Sequence, residues 1–189
     1  MEQYNYQEPC CIERTLPALL REHPMSAWQS NGDVTFDRII KAVSLLAGNS
    51  LNIILVHPAP ELPIVQCLAW YHRRGWLNAL TILTQTEQTT DIRKEFPNDF
   101  PIEILTHKSV TDGLLIIQGE KGQVIVQGPL HAAVVPNVER FTTYAGNDKD
   151  SIAMLTATTL SRIAVLRRKK SKNKTAPTTT STDECPNPQ

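Results

Sequence analysis

A hairpin pattern between residues 106 and 130 constrains the fold of this 189-residue chain more than any other segment. Two apolar runs, at 114–117 and 124–126, flank a turn of sequence GEKG. Apolar runs on either side of a glycine-rich turn predict two antiparallel strands joined by a tight connection. We therefore expect a β-hairpin over residues 113–127.

Strand and helix patterns alternate ahead of the hairpin. Apolar runs predict buried strands near 51–57, 78–84 and 102–106, with helices between them where apolar residues recur at helical spacing. Alternation at this length predicts parallel strands joined by right-handed crossovers. After the hairpin, we expect a further strand near 138–143 and then an apolar-striped helix that begins at 148–150 and ends in basic residues.

These patterns together predict an α/β fold with a single domain over residues 33–167. Its mixed sheet of about six strands follows the order strand-helix-strand-helix-strand, then the β-hairpin and a C-terminal helix. Residues 1–32 are expected to form an N-terminal extension with one short helix near 16–23. Residues 168–189 are expected to form a basic, Thr/Pro-rich disordered tail. A Rossmann-like three-layer sandwich is the alternative, because the crossovers are compatible with both folds.

Charge is distributed unevenly along a chain whose formal net charge is zero. Residues 167–174 (RRKKSKNK) contain six basic residues and no acid, and the only acids after them are Asp183 and Glu184. Without everything from residue 167 onward, residues 1–166 hold 13 basic residues (19 − 6) and 17 acidic residues (19 − 2), a net charge of −4. A uniformly basic surface for nucleic acid is therefore excluded. Contact with nucleic acid or an acidic protein is predicted at Arg167, Arg168, Lys169, Lys170, Lys172 and Lys174.

Motifs for metals, cofactors and membranes are absent from the sequence. The four cysteines lack Cys/His zinc spacing, and neither GxxxxGK[ST] nor GxGxxG occurs, so we expect no metal and no cofactor. The N-terminus lacks the features of a secretory signal, and no apolar run reaches about 18 residues. These features predict a cytoplasmic, reduced protein without a membrane partner. Cys67 lies on the apolar face of a predicted helix and is expected to be an inert packing residue.

Residues 36–166 resemble one half-domain of the phospholipase D-like superfamily. The resemblance rests on two segments. In HRRGWLNALTILTQ, the end of a helix is followed by Arg-Gly and then by a strand, and the later hairpin ends in Gly128. In that family the hairpin carries a His-x-Lys-x4-Asp motif. The resemblance implies a nucleophilic His, a Lys that neutralises the phosphoryl oxygens and an Asp that orients the His, all converging on one phosphate.

The motif itself is missing from this chain, whichever way the hairpin is aligned. Alignment on Gly128 without a gap and alignment with a longer turn both fail to supply a nucleophilic histidine. The three motif positions are then occupied by Leu114, Ile116 and Lys121, or by Thr111, Gly113 and Gln118.

The right residue types do occur nearby, but in the wrong order. His107, Lys108 and Asp112 form the pattern HKxxxD, and adjacent side chains on a strand point to opposite faces of the sheet. Pro129 stands where the family has Ser after the glycine. The resemblance therefore implies a degenerate half-domain that has lost the catalytic machinery.

Three polar residues are weak candidates for a remaining site. His57 ends the first predicted strand, and His107 and Lys108 follow the third, so all three are expected on one edge of the sheet. They could form a small anion site, although strand ends and loops are commonly polar without binding anything.

These considerations favour a non-catalytic phospholipase D-like binding or scaffolding module. The alternatives are a phosphodiesterase or nuclease-type enzyme that uses His57, His107 and Lys108 in a non-standard arrangement, or nucleic-acid binding through the basic tail. Because a half-domain leaves apolar surface exposed where its duplicate would pack, we also expect a homodimer with isologous contacts. The sequence does not identify the surface that would form this dimer.

Overall fold

The computed structural model describes residues 11–22, 25–30, 34–85, 89–135, 138–145 and 149–174. These residues form five helices and seven strands, which alternate as far as β4, and all strands join one sheet. The elements are α1 (Cys11–Glu22), β1 (Met25–Ser30), α2 (Phe36–Ala47), β2 (Leu51–His57), α3 (Leu62–Arg73), β3 (Leu77–Thr84), α4 (Thr89–Lys94), β4 (Ile102–Thr106), β5 (Leu114–Gly119), β6 (Gly122–Gln127), β7 (Glu139–Ala145) and α5 (Lys149–Lys174).

The sheet is mixed, with strand order β1-β7-β6-β5-β2-β3-β4. β2, β3 and β4 run parallel to one another, whereas β5, β6, β7 and β1 pair antiparallel with their neighbours. The prediction of a single α/β domain with a mixed sheet and a hairpin at 113–127 is therefore confirmed. The Rossmann-like alternative is wrong, because it requires a predominantly parallel sheet.

The two faces of the sheet are covered very differently. Helices α1 to α4 pack on the first face and bury the main core, in which Phe36, Ile39, Ile40, Leu55 and Leu68 are almost fully inaccessible. On the second face, α5 is the only helix among the described residues, and it packs in two smaller clusters. In these clusters Ile163 and Leu166 pack on Val56, Leu83, Leu105 and Val110, and Ile152 packs on Ile116 and Ile125.

The N-terminal segment belongs to the domain, in contrast to the expected extension over residues 1–32. Helix α1 places Leu16 and Leu20 in the main core, and β1 pairs with β7 as an edge strand. Trp28 of β1 stacks on Phe141 with ring centroids 4.2 Å apart. The strand has no local sequence signal, because its partner lies more than a hundred residues later in the chain. Residues 1–10 lie outside the described part.

The C-terminal helix is longer than the sequence pattern indicated. Helix α5 runs to Lys174, so residues 168–174, which were expected to begin a disordered tail, are helical. Lysine and arginine are good helix formers, and this preference outweighs the repulsion between their charges here. The remainder of the predicted tail, 175–189, lies outside the described residues.

Two glycines close the open end of the hairpin. The Gly128 N–H donates to the Gly113 carbonyl at 3.0 Å, and a Cβ on Gly113 would lie 2.2 Å from the Gly128 oxygen. Gly128 itself has φ +153°, and a Cβ there would lie 2.6 Å from the ring of Phe141. Only residues without side chains fit at this crossing. It directs the chain after β6 back across the carboxyl ends of the parallel strands.

Candidate functional site

The parallel strands end together at one edge of the sheet, which we call the carboxyl edge. His57 of β2 pairs with Thr84 of β3, and Thr84 pairs with Thr106 of β4. His107 extends this row, since its N–H donates to the Thr84 carbonyl at 2.8 Å. The backbones at His57 and His107 are thus about 10 Å apart, two strand spacings. The structure places both histidines on the expected edge.

The His57 ring is held by backbone groups at both nitrogens. The Ala59 N–H donates to Nδ1 at 3.2 Å, so Nδ1 carries no proton in this arrangement. The proton then resides on Nε2, which donates to the Leu130 carbonyl at 2.9 Å. The neutral ring therefore joins the end of β2 to the chain that follows the hairpin.

The surroundings of His57 favour this neutral form. Burial lowers the pKa of His57 below its ordinary value of 6.5, and the nearby His131 lowers it further. The hydrogen bond to Leu130 and the charge of Glu61 act in the opposite direction but are outweighed. A nucleophilic histidine needs a free lone pair, and here the lone pair on Nδ1 already accepts a hydrogen bond. His57 therefore has a structural role, because its ring links the end of β2 to the segment that follows the hairpin.

His107 and Lys108 form part of an exposed turn. The His107 Nδ1 accepts hydrogen bonds from the Ser109 N–H at 3.2 Å and the Ser109 hydroxyl at 2.6 Å. The backbone carbonyl of Lys108 accepts from the Gln85 side chain at 3.1 Å, while its own side chain lies exposed. These contacts fix the turn that follows β4. Ser109 was not singled out from the sequence, and its only signal is its position two residues after a histidine.

The two strand-end histidines lie in different surroundings. The His57 ring is buried, on the same face of β2 as Leu55 of the main core. His107 lies one residue beyond the end of β4, and its ring is bonded to Ser109 within the exposed turn. The structure thus brings His57, His107 and Lys108 to one edge, where the two histidine rings have different local partners.

A further histidine, His131, supports the loop that follows Gly128. His131 Nε2 lies 3.0 Å from Glu139 Oε1, and Glu139 is a buried carboxylate at the start of β7. The Phe36 N–H at the start of α2 donates to the His131 carbonyl at 2.8 Å. These contacts hold the segment after Gly128 against β7 and α2. The sequence offered no way to identify them, because the partners lie far apart in the chain.

The described residues hold neither a metal-binding cluster nor a membrane-spanning helix. Among the described residues, no group of three or more His, Cys, Asp or Glu side chains is arranged to hold a metal ion. No helix in the described ranges has the length and apolar character needed to cross a membrane. Cys67 is buried, and burial raises the pKa of its thiol to about 12, which makes it an unreactive packing group at neutral pH.

The basic end of α5, residues 167–174, contrasts with the carboxyl edge. Arg167 forms a two-point ion pair with Glu103 of β4, with Nε 2.8 Å from Oε1 and Nη2 2.5 Å from Oε2. This hydrogen bonding raises the pKa of Arg167. Arg162, Arg168 and Lys169 are exposed, and the described residues offer them no acidic partner. Lys170, Lys172 and Lys174 continue the helix, but their side chains lie outside the described part.

Comparisons with known proteins give distant likenesses among solved structures alone. No protein family and no curated protein matches the sequence. A solved structure of TrmBL2, described as an archaeal chromatin protein with a novel mode of DNA binding, superposes with a TM-score of 0.45 at 12% identity. The match covers 80% of this chain and 58% of that one, so this chain spans little more than half of that protein. A likeness of this degree leaves the function of this chain to be argued from its own residues.

Proposed function

We propose that this protein is a non-catalytic binding module of phospholipase D-like architecture, which contacts nucleic-acid phosphates through the basic end of α5. The observation that carries the non-catalytic part of the proposal is the state of His57. Both of its ring nitrogens are used by backbone groups, so this strand-end candidate for a catalytic group has a structural role instead.

The order of the elements supports the architectural part of the proposal. Strand-helix units are followed by a third strand, a hairpin and a final helix, as the sequence resemblance implies. The missing chemistry supports the non-catalytic part. Transfer of a phosphoryl group through histidine needs a free ring nitrogen and a cation at the same phosphate. His107 and Lys108 belong to an exposed turn and are adjacent in sequence, so they do not supply this pair.

The distribution of charge supports the choice of partner. Residues 1–166 have a net charge of −4 and repel polyanions, whereas residues 167–174 add six cations on one helical segment. Arg168 and Lys169 point to solvent with no acidic partner in the described part. Lysine and arginine bind phosphates without reading the base sequence, so we expect binding that is weakly selective and strongly salt-dependent.

A charge-neutralisation experiment tests this contact. The full-length protein is compared with a variant in which Arg168, Lys169, Lys170, Lys172 and Lys174 are changed to Gln, by fluorescence anisotropy on labelled duplex and single-stranded DNA at two salt concentrations. A control variant carries Arg73→Gln, Arg74→Gln and Lys121→Gln, which are exposed cations elsewhere on the molecule.

The expected outcome is loss of binding in the first variant only. In the unmodified protein, the log–log salt slope should be no steeper than about −5, the limit when six charges engage a duplex. Equal binding by the unmodified protein and the α5 variant would overturn the assignment of the contact. Absence of binding by the unmodified protein at low salt would overturn the choice of nucleic acid and leave a protein partner.

Hydrolysis of bis(p-nitrophenyl) phosphate in the presence of EDTA tests the non-catalytic part separately. We expect no turnover above that of a heat-denatured sample. Metal-independent turnover that disappears in His107→Ala or His57→Ala would establish the enzymatic alternative and contradict the proposal.

A further inference from the structure

The outer face of α5 is mostly apolar although it lies in solvent, with Thr158 and Ser161 as exposed polar residues among the apolar side chains. Between Ser151 and Leu166 the only charged residue is Arg162. Met154, Leu160 and Val165 are 63%, 47% and 50% exposed, which places three of the nine exposed large apolar side chains of the described residues on one helix face. We call this face the outer stripe, formed by Ala153, Met154, Ala157, Leu160, Ala164 and Val165.

The outer stripe is not needed to hold α5 on its own sheet. The inner face of the helix does this through Ile152, Thr159, Ile163 and Leu166, which are buried. A helix covered by solvent on its outer side normally carries polar residues there. An outer face that is mostly apolar and carries almost no charge indicates a surface that is covered by another protein molecule.

The spacing within the outer stripe fits a second helix. Ala153, Ala157, Leu160 and Ala164 recur at intervals of four, three and four residues, the spacing of a helix–helix seam. Alanine at three of these positions allows two helix backbones to approach closely. The seam is nearly symmetric about the point between Ala157 and Leu160, so the same surface can serve both partners.

We propose that the occupant is a second copy of this chain, packed through α5 in an antiparallel, isologous contact. The charges select the direction. A parallel arrangement would bring two basic ends of six cations each together, whereas an antiparallel one separates them by the length of the seam. It also places Asp150 at the start of α5 near the partner subunit's basic end, and it aligns the two helix dipoles favourably.

The dimer would arrange the two basic ends in a way that bears on the proposed function. Their centres would be separated along the paired helices by about 36 Å, from about 24 residues at 1.5 Å each. This is close to one turn of duplex DNA, so both ends could contact one duplex. This consequence rests on the proposed function, whereas the dimer itself does not.

Sedimentation equilibrium on the full-length protein tests the interface without any ligand. We expect the unmodified protein to reach twice the monomer mass of 21.1 kDa at tens of micromolar concentration, a range typical of weak dimers. Leu160→Glu should be monomeric, because a carboxylate would be buried in the seam. Leu45→Glu is the matched control, since Leu45 is 60% exposed on α2, and it should remain dimeric.

Far-ultraviolet circular dichroism of both variants establishes that each is folded. A monomeric unmodified protein at these concentrations would overturn the proposal, as would a Leu160→Glu variant that is folded and still dimeric. Loss of the dimer in both variants would place the interface elsewhere and would equally overturn it. If DNA binding fails in its own test while the dimer persists, only the proposed function is lost.

Cross-linking tests the direction of the helices. In a background with Cys10, Cys11 and Cys185 changed to Ser, single variants Ala153→Cys and Ala164→Cys are treated with a short bis-maleimide, separately and mixed. An antiparallel seam predicts efficient cross-links in the mixture and few within either variant alone. Efficient cross-linking of Ala153→Cys to itself would establish a parallel contact and contradict the proposed arrangement.

Discussion

The carboxyl edge of the sheet and the basic end of α5 are both rich in polar groups. At the carboxyl edge these groups bond to other parts of the protein, whereas at the basic end most of the described ones face solvent. At the carboxyl edge, His57 satisfies two backbone groups and His131 meets the buried Glu139. At the basic end, Arg168 and Lys169 project into solvent, and only Arg167 is held by an acidic side chain of the described residues.

The difference separates residues that stabilise the fold from residues that are free to bind. A polar group whose hydrogen bonds are complete inside the protein contributes to stability when present and costs stability when removed. A solvated cation contributes little to folding, so its effect is expected on ligands instead. The following experiments would break or sharpen this contrast.

Truncation of His57 should give the largest change in stability. His57→Ala leaves the Ala59 N–H and the Leu130 carbonyl without their partner near a buried position, and we expect the free energy of unfolding to fall by about 2–4 kcal/mol. His107→Ala in the exposed turn should cost less than about 1 kcal/mol. Urea denaturation of both variants measures this. Equal losses would show that the two strand ends are built alike. DNA binding by folded His57→Ala should be unchanged.

The stability of the unmodified protein should depend on pH through the same residue. Burial lowers the pKa of His57 in the folded state below 6.5, so between these two values the unfolded chain binds more protons than the folded one. The contribution is therefore complete above pH 6.5 and is lost as pH falls toward the folded-state pKa. The comparison is between urea midpoints of the unmodified protein and His57→Gln from pH 5 to 8, a span that covers histidine titration. An identical pH dependence in both would exclude His57 as the source.

Loss of the Arg167–Glu103 pair should have a smaller effect on stability. The Arg167 side chain is 56% exposed, and ion pairs at this exposure contribute at most about 1 kcal/mol. We expect Arg167→Gln to lower the free energy of unfolding by less than about 1 kcal/mol. A loss as large as that of His57→Ala would mean that this pair anchors α5, and the basic end would then be structural as well.

Neutralisation of Arg168 and Lys169 should give the smallest change in stability. Both are exposed and have no acidic partner in the described part of the chain, so Arg168→Gln with Lys169→Gln should alter the free energy of unfolding by no more than about 0.5 kcal/mol. The same double variant should weaken DNA binding measurably and reduce the salt slope by about 2. A large change in stability without a change in DNA binding would show that these two residues are structural, contrary to the prediction.

The parts of the fold that could be predicted from the sequence are those with local signals. Buried parallel strands and the hairpin carry continuous apolar runs, and β2, β3 and β5 were placed to within a residue or two. Strand β1 was missed because MSAWQS has no run of this kind, and its place depends on β7. The end of α5 was missed because a run of lysines indicates solubility as readily as helix.

The candidate site was only partly predictable for a related reason. The sequence places His57 and His107 at strand ends, and the parallel sheet brings those ends to one edge. The partner of His57, however, is a backbone carbonyl 73 residues away, brought there by the close crossing of Gly113 and Gly128. Every residue has a backbone carbonyl, so no pattern of residue types could have identified this contact.

Because α5 is the only helix that the described residues place on the second face of the sheet, detachment of this one helix would expose that face. The helix is anchored by Ile152, Ile163 and Leu166, and burial of each contributes about 1.5–3 kcal/mol. Detachment of α5 should therefore cost less than global unfolding, so its amide hydrogens should exchange with deuterium before those of β2 and β5. If α5 packs against α5 of a second copy, this early exchange should slow as the protein concentration rises.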